Sequence, residues 1–119
     1  MARPLVLVVD DDARTARTLA RMLSEDGYEV DVAVDGAAAI ARLGHGPPPD
    51  VLVTDVHMPG GDEAAIVYRA RSLRPDMLVV VVTGYPYSVD RTLQPRPVVL
   101  TKPLVYGDLR AAIASAGLA

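Results

Sequence analysis

Five short runs rich in apolar and β-branched residues constrain the fold of this 119-residue chain more than any other feature. They lie at Leu5–Val9, Tyr28–Val34, Val51–Val53, Met77–Val82 and Val98–Leu100. Runs that are apolar on both faces are typical of parallel strands covered by helices on two sides. The sequence therefore predicts one α/β domain over residues 1–119, built on a doubly wound, five-stranded parallel sheet with helices on both faces.

Segments with a helical spacing of apolar residues alternate with these strands. The predicted helices are Ala13–Glu25, Ala37–Leu43, a helix opened by Asp62-Glu63 and ending at Leu73, and a last helix over Tyr106–Ala116. Asp12 is placed to cap the first helix, and Gly27 to end it. This alternation of strand and helix is the pattern of a sheet whose strands are joined by helical crossovers.

Two segments depart from the regular pattern. In the second strand Tyr28, Val30, Val32 and Val34 alternate with Glu29, Asp31 and Ala33, which predicts a half-buried strand at a sheet edge. Between the fourth and fifth strands, prolines at 86, 95 and 97 interrupt the chain. We expect any helix there to be short or irregular, over about Ser88–Leu93.

Polar or charged residues follow the carboxyl ends of the strands, whereas the amino ends show no comparable concentration of such residues. The residues at these ends are Asp10-Asp11-Asp12, Asp35, Thr54-Asp55, Thr83 and Thr101-Lys102. Right-handed crossovers place all carboxyl ends of parallel strands on one edge of the sheet. Ligands of open α/β sheets bind at that edge. The sequence therefore predicts a functional site in which these side chains converge.

The chemistry of the predicted cluster favours a metal ion and a phosphoryl group. Asp10, Asp11 and Asp55 would repel one another, and a divalent cation relieves such repulsion. A few oxygen ligands on a shallow edge favour Mg²⁺. A rigidly held carboxylate such as Asp55 can act as a nucleophile that forms an acyl phosphate. Thr83 and Lys102 would then supply a hydroxyl and an ammonium to the phosphoryl oxygens.

Composition narrows the class of protein. The net charge of −3 argues against direct binding of nucleic acid, because such binding depends on clustered Lys and Arg. There is no cysteine for a disulfide or thiolate metal site. The apolar runs are too short to cross a bilayer, and no signal-peptide pattern precedes the first strand. We expect a cytoplasmic protein that binds neither membrane nor nucleic acid.

Four motifs in order make the chain similar to the receiver domain of bacterial two-component response regulators. The motifs are Leu5–Asp12 (LVLVVDDD), Pro49–Gly61 (PDVLVTDVHMPGG), Val79–Gly84 (VVVVTG) and Leu100–Leu104 (LTKPL). The resemblance covers nearly the whole chain. It implies a flavodoxin-like sheet of order 2-1-3-4-5 and a cis peptide bond between Lys102 and Pro103.

The same resemblance assigns roles to residues. Asp10, Asp11 and Asp55 would bind Mg²⁺ together with the backbone carbonyl of His57. Asp55 would be the phosphoacceptor, and Thr83 and Lys102 would contact the phosphoryl group. The donor would be a sensor histidine kinase or a histidine phosphotransfer protein, and phosphorylation would change binding to a downstream partner that the sequence does not identify. The chain would be a switch rather than an enzyme; homodimerisation is left open.

Two departures from the family pattern concern the output. The family's aromatic residue three positions before the lysine is Val99 here, which cannot act as an aromatic switch. The segment 84–101 is also short for a crossover containing a full helix. In this the chain looks like receivers of hybrid histidine kinases and some single-domain regulators. We hypothesise that Tyr85 replaces the missing aromatic or gates access to Asp55.

Other interpretations of the same residues are weaker. The acidic residues could be helix caps, but three in a row exceed what capping needs. An interaction module without phosphotransfer would not require the complete set of site residues. A phosphatase with an aspartyl nucleophile would typically have a second Asp two residues later, where this chain has His57. His45 and the Tyr residues have simple readings as solvated or packing side chains.

Overall fold

A computed structural model describes residues 3–55, 63–84 and 95–118. Its strands are β1 (Leu5–Val9), β2 (Glu29–Ala33), β3 (Val51–Asp55), β4 (Leu78–Thr83) and β5 (Val98–Thr101), and its helices are α1 (Ala13–Glu25), α2 (Gly36–Leu43), α3 (Glu63–Leu73) and α4 (Tyr106–Ser115). All strand pairs are parallel, and the sheet order is β2-β1-β3-β4-β5. The predicted fold class and strand order are confirmed. The short helix predicted at 88–93 lies outside the described residues.

Helices cover both faces of the sheet because the central strands present apolar side chains on each side. Leu7, Leu52 and Val79 pack in one buried cluster with residues of α2 and α3. Val8 and Val53, with the opposite strand parity, pack in a second cluster with residues of α1 and α4. The sheet therefore forms the middle layer of three.

Helix termini follow the capping residues that the sequence predicted. Asp12 is the N-cap of α1, and its Oδ1 accepts the backbone N–H of Arg14 at 3.1 Å and of Thr15 at 3.3 Å. These hydrogen bonds hold the pKa of Asp12 below its usual range. Gly27 follows α1 with a φ of 97°, a conformation that glycine adopts at little cost. Both predictions are confirmed.

The edge strand β2 is less regular than its alternating sequence predicted. Tyr28 is buried, but Val32 and Val34 are 40% and 44% exposed, and Ala33, expected on the polar side, is buried. Ala33 packs in the cluster of α2 and α3, whereas the cluster of α1 reaches only as far as Val30. A period of two predicts which face a residue occupies, but what packs against that face decides whether the residue is buried.

The amino edge of the sheet is held by Asp50, which precedes β3. Its Oδ2 accepts the N–H of Leu5 at 2.8 Å, and its Oδ1 pairs with Nη1 of Arg74. Its backbone N–H donates to the carbonyl of Leu5 at 2.8 Å, and its carbonyl accepts the N–H of Leu78 at 3.2 Å. This residue joins β1, β3, β4 and the end of α3.

In the described ranges, no helix is long and apolar enough to span a bilayer.

Candidate functional site

The carboxyl ends of β1 and β3 bring three carboxylates together. These strands are neighbours, with Val9 opposite Thr54, so the residues that follow each position lie side by side at the sheet edge. Carboxylate oxygens of Asp10, Asp11 and Asp55 lie within 4.8 Å of one another. The cluster is the one predicted from the strand ends.

Burial differs sharply among the three. Asp55 is 7% exposed, Asp10 is partly buried and Asp11 is exposed. Burial raises the pKa of the Asp10 carboxyl, and the charges of Asp55 and Asp11 raise it further. The N–H of Asp12, which donates to Asp10 Oδ1 at 2.9 Å, and the charge of Lys102 offset only part of this effect. Among the described residues, the site therefore concentrates more negative charge than the ammonium of Lys102 offsets.

Lys102 is the cation that contacts the buried carboxylate. Its Nζ lies 2.9 Å from Oδ1 of Asp55, and its own side chain is 43% exposed. Partial burial lowers the pKa of the Lys102 ammonium, but the hydrogen bond to Asp55 and the nearby aspartate charges outweigh that, so the pKa is raised. Lysine stays charged at neutral pH.

Lys102 is positioned by its backbone. Its N–H donates to the carbonyl of Thr83 at 2.9 Å, and its bond to Pro103 is cis, as predicted. Through the first contact the end of β5 is tied to the end of β4.

Thr83 lies at the same edge but is oriented differently from Asp55. It is fully buried and pairs with Thr101 of β5. Along β4 it has the parity of Val79 and Val81, which pack on the side of α2 and α3. Asp55 has the parity of Val53, on the side of α1 and α4. The structure thus brings Thr83 to the site edge, while its contact with a phosphoryl group stays a prediction.

A cavity of about 650 Å³ opens beside the carboxylates, between α1 and the start of α4. Among the described residues, its charged lining comprises Asp10, Asp11, Asp12, Arg14, Asp55 and Lys102. Its lining also includes apolar residues and Tyr106, whose hydroxyl donates to the Asp26 carboxylate. Burial and this contact with Asp26 raise the pKa of Tyr106. Asp55 therefore borders this cavity although it is itself buried.

The carboxylate cluster fits a divalent cation of the magnesium type. All its ligand atoms are oxygens, which hard cations prefer. Oxygens on opposite sides of a bound Mg²⁺ lie about 4 Å apart, so a spacing within 4.8 Å suits a single ion. The exposure of Asp11 leaves room for the water molecules that Mg²⁺ retains.

Two predicted site residues lie outside the described ranges, and one residue of the site was not predicted from the sequence. His57 and Tyr85 lie outside, so the carbonyl ligand and the gating hypothesis stay predictions. Val99, at the position of the missing aromatic, is 37% exposed on the edge strand β5. Sequence reasoning did not single out Arg14, which lines the cavity. Its signal was present as a cation two residues after the three aspartates.

Comparison with known proteins gives a consistent family. The family model described as "Response regulator receiver domain" matches residues 6–114. The transcriptional regulatory protein PrrA of Mycobacterium tuberculosis is 41% identical over 81 residues, which cover 68% of this chain and 34% of that protein. The response regulator MprA of Mycobacterium avium is 40% identical over 79 residues, covering 66% and 34%. The matches thus span about a third of the length of these relatives.

Solved structures extend the likeness to the whole described fold. A response regulator receiver protein from Sinorhizobium medicae has a TM-score of 0.87 at 25% identity, covering 96% of this chain and 94% of that one. The receiver domain of the hybrid histidine kinase CckA has a TM-score of 0.79 at 28% identity, covering 97% and 99%. TrrA from Thermotoga maritima, solved in complex with Mg²⁺ and BeF, has a TM-score of 0.81 at 25% identity, covering 95% and 98%.

Proposed function

The chain belongs to the response regulator receiver domain family, and from that premise we propose that Asp55 accepts a phosphoryl group and so acts as a signalling switch. One observation carries the proposal. Asp55, 7% exposed at the end of β3, lies close to two other carboxylates and 2.9 Å from the ammonium of Lys102. A buried carboxylate in contact with a cation, beside further acids that can bind a metal ion, is suited to accept a phosphoryl group.

The proposed donor is a phosphohistidine of a sensor histidine kinase or histidine phosphotransfer protein. A carboxylate oxygen of Asp55 forms a bond to phosphorus while the phosphorus–nitrogen bond of the donor breaks. The electron pair of that bond stays on the imidazole nitrogen, which is the leaving group. Lys102 already contacts Asp55, so a short movement would let its ammonium pair with a phosphoryl oxygen.

The chain's own acids would hold the metal ion. Asp10, Asp11 and Asp55 provide carboxylate oxygens, and the backbone carbonyl of His57 is the proposed fourth protein ligand. When bound, Mg²⁺ would neutralise carboxylate repulsion and stabilise the charge on the transferred group. The TrrA structure in complex with Mg²⁺ and BeF makes this metal the appropriate one to test.

Thr83 is proposed to donate its hydroxyl to the phosphoryl group after transfer. Phosphorylation adds a charge of about −1.5 to −2 at neutral pH, judged from other protein phosphates. That charge attracts Lys102 and hydroxyl donors, and the ends of β4 and β5 move together because Lys102 N–H is bonded to the Thr83 carbonyl. The strand ends and the loops that follow them would thereby present a changed surface to a downstream partner.

The relatives bear on the output. PrrA is named a transcriptional regulatory protein, and the match covers about a third of it. In such a protein a receiver would control a separate output region, so the net charge of −3 on this chain is compatible with a transcriptional output. The hybrid-kinase receiver of CckA shows the other context, a receiver within a kinase. Full-length gene context distinguishes the two.

The function is tested by incubating the chain with acetyl phosphate and Mg²⁺ and measuring intact mass. We expect one added phosphoryl group on the wild-type chain, stable to acid and labile to base. Asp55→Asn should receive none, and a chelator should prevent the reaction. Asp50→Asn is the matched control, since Asp50 precedes the same strand at the opposite edge and should leave phosphorylation intact.

If the wild-type chain stays unmodified under these conditions, the proposal that Asp55 is a phosphoacceptor is contradicted. The chain would then act as an interaction module that never carries phosphate. Equal modification of the wild-type chain and Asp55→Asn would place the phosphoryl group on another residue.

A further inference from the structure

Arg14 is a second cation at the mouth of the site. It lines the same cavity as Asp10, Asp11, Asp55 and Lys102. Its side chain is exposed, and no salt bridge within 4 Å joins it to an acidic group in the described part of the chain. Among the described residues that line the cavity, only Arg14 and Lys102 are cationic, and Lys102 is engaged with Asp55.

The stability of α1 does not account for a cation at this position. Arg14 lies in the first turn of α1, where the helix dipole disfavours positive charge. The backbone N–H of Arg14 is bonded to Asp12, which fixes the first turn beside the cavity, and the two opposite charges attract only weakly at this exposed place. The guanidinium is therefore an exposed positive charge in the lining of an acidic site, with no salt bridge to the residues that the structure describes.

An incoming phosphodonor meets an electrostatic obstacle at this rim. Among the described residues that line the cavity, four are aspartates and two are cations. A donor is itself anionic, so acidic lining slows its approach, and a cation at the mouth offsets that repulsion over several ångströms.

We propose that Arg14 attracts the anionic phosphodonor to the mouth of the site and so raises the rate at which Asp55 is phosphorylated. The proposal rests on the phosphoacceptor function of Asp55. Arg14 acts on approach and orientation of the donor phosphate, whereas Lys102 contacts the reacting carboxylate. Its contribution therefore scales with the negative charge of the donor and falls as salt is added.

Two small donors of different charge separate this role from others. Acetyl phosphate is a dianion; its phosphoryl group passes to Asp55 as the carboxylate–phosphorus bond forms, and acetate leaves with the electron pair of the broken bond. Phosphoramidate is a zwitterion with a net charge near −1; it transfers the same group, and ammonia leaves with the electron pair of the phosphorus–nitrogen bond. Only the donor's charge and leaving group differ.

The experiment measures the second-order rate constant of phosphorylation with each donor at low ionic strength in saturating Mg²⁺. We expect Arg14→Ala to be about fivefold slower with acetyl phosphate and about twofold slower with phosphoramidate, as for a charge several ångströms away in water. Arg14→Lys should recover most of the rate. Raising ionic strength should narrow the difference between Arg14→Ala and the wild type.

Arg17→Ala is the matched control. Arg17 is exposed on the same helix, one turn further along, and does not line the cavity. It removes the same charge from the chain, so its rate reports any effect of net charge alone. We expect it to stay within about 1.5-fold of the wild type, because screening weakens a charge that lies further from the site.

The outcomes discriminate clearly. An unchanged rate in Arg14→Ala, or equal losses in Arg14→Ala and Arg17→Ala, overturns the proposal. An equal fold-loss with both donors, insensitive to salt, also overturns it, since it would indicate a packing or positioning effect. A wild-type chain that takes no phosphoryl group from either donor refutes the phosphoacceptor function itself.

Discussion

Aspartates lie at both the amino ends and the carboxyl ends of the strands, but their carboxylates have different partners at the two edges of the sheet. At the amino edge, Asp50 has a donor for each carboxylate oxygen, the N–H of Leu5 and the guanidinium of Arg74. At the carboxyl edge, the carboxylates of Asp10, Asp11 and Asp55 crowd within 4.8 Å, and Lys102 contacts one of them. The same residue type connects strands at one edge and forms a crowded cluster of like charges at the other.

The difference shows how a structural acid is told from a functional one. A carboxylate whose oxygens accept hydrogen bonds stabilises the folded chain, so the free energy of unfolding falls when that carboxylate is removed. A cluster of like charges costs stability, and such clusters are found preferentially where binding or chemistry needs them. Burial raises the pKa of Asp10, and the charges of Asp55 and Asp11 raise it further, so the ionised form of Asp10 costs stability. The contrast predicts opposite effects of removing an acid at the two edges.

The largest effect is expected from substitution of Lys102, which should change the rate of phosphorylation. Lys102→Ala removes the preorganised cation from Asp55, so phosphorylation should slow about a hundredfold. The measurement is the rate of adduct formation with acetyl phosphate and Mg²⁺. Arg74→Ala, the equivalent change at the amino edge, should leave this rate within about twofold. A similar loss in both variants would show that folding, rather than the site, was affected.

A smaller effect, on stability, is expected at the amino edge. Asp50→Ala leaves the N–H of Leu5 and the Arg74 guanidinium without their partner. The free energy of unfolding should fall by about 2 kcal/mol, the range for hydrogen bonds to charged groups. Urea unfolding of the chain checks this. Asp76→Ala is the control: Asp76 lies 3.7 Å from Arg74 and is 83% exposed, and its loss should cost less than about 0.5 kcal/mol.

The smallest effect has the opposite sign and occurs at the carboxyl edge. Because the folded pKa of Asp10 is raised, the folded chain holds its proton more tightly, and stability is lost as pH rises through that pKa. Asp10→Asn lacks this loss while its amide oxygen can still accept the N–H of Asp12. Without metal at pH 7, the variant should unfold at a higher temperature than the wild type.

Two conditions should remove this advantage of Asp10→Asn. Lowering the pH below the raised pKa of Asp10 protonates Asp10 in the wild type, so the two unfolding temperatures should converge. Adding Mg²⁺ should stabilise the wild type more than the variant, because ligand binding to the folded state raises stability and the variant lacks one carboxylate ligand. A variant less stable than the wild type in chelator at pH 7 would contradict the argument that ionised Asp10 lowers the stability of the folded chain.

The sequence predicted the sheet and the convergence of its strand ends because both depend on local patterns. Apolar runs specify buried strands, and parallel crossovers force their carboxyl ends to one edge, whatever the details of packing. The bounds of β1 and α1 agreed with prediction for the same reason: the run ends abruptly at Asp10, and Asp12 caps the helix.

The features that the sequence did not predict depend on distances between elements. The exposure of Val32 and Val34 depends on which residues pack against an edge strand and the turn after it. The partnership of Asp50 with Arg74 joins residues 24 positions apart. Arg14 looked like one of several arginines on the polar face of a helix, and only the position of the cavity separates it from Arg17. Such properties need coordinates.

The most direct test of the phosphoacceptor edge is to locate the adduct on the chain. Borohydride reduces an aspartyl phosphate to homoserine, which peptide mass spectrometry identifies by position. After treatment with acetyl phosphate and Mg²⁺, the account predicts homoserine at position 55 alone. Homoserine at position 10, 11 or 50, or at no position in a chain that had been exposed to both donor and metal, would contradict it.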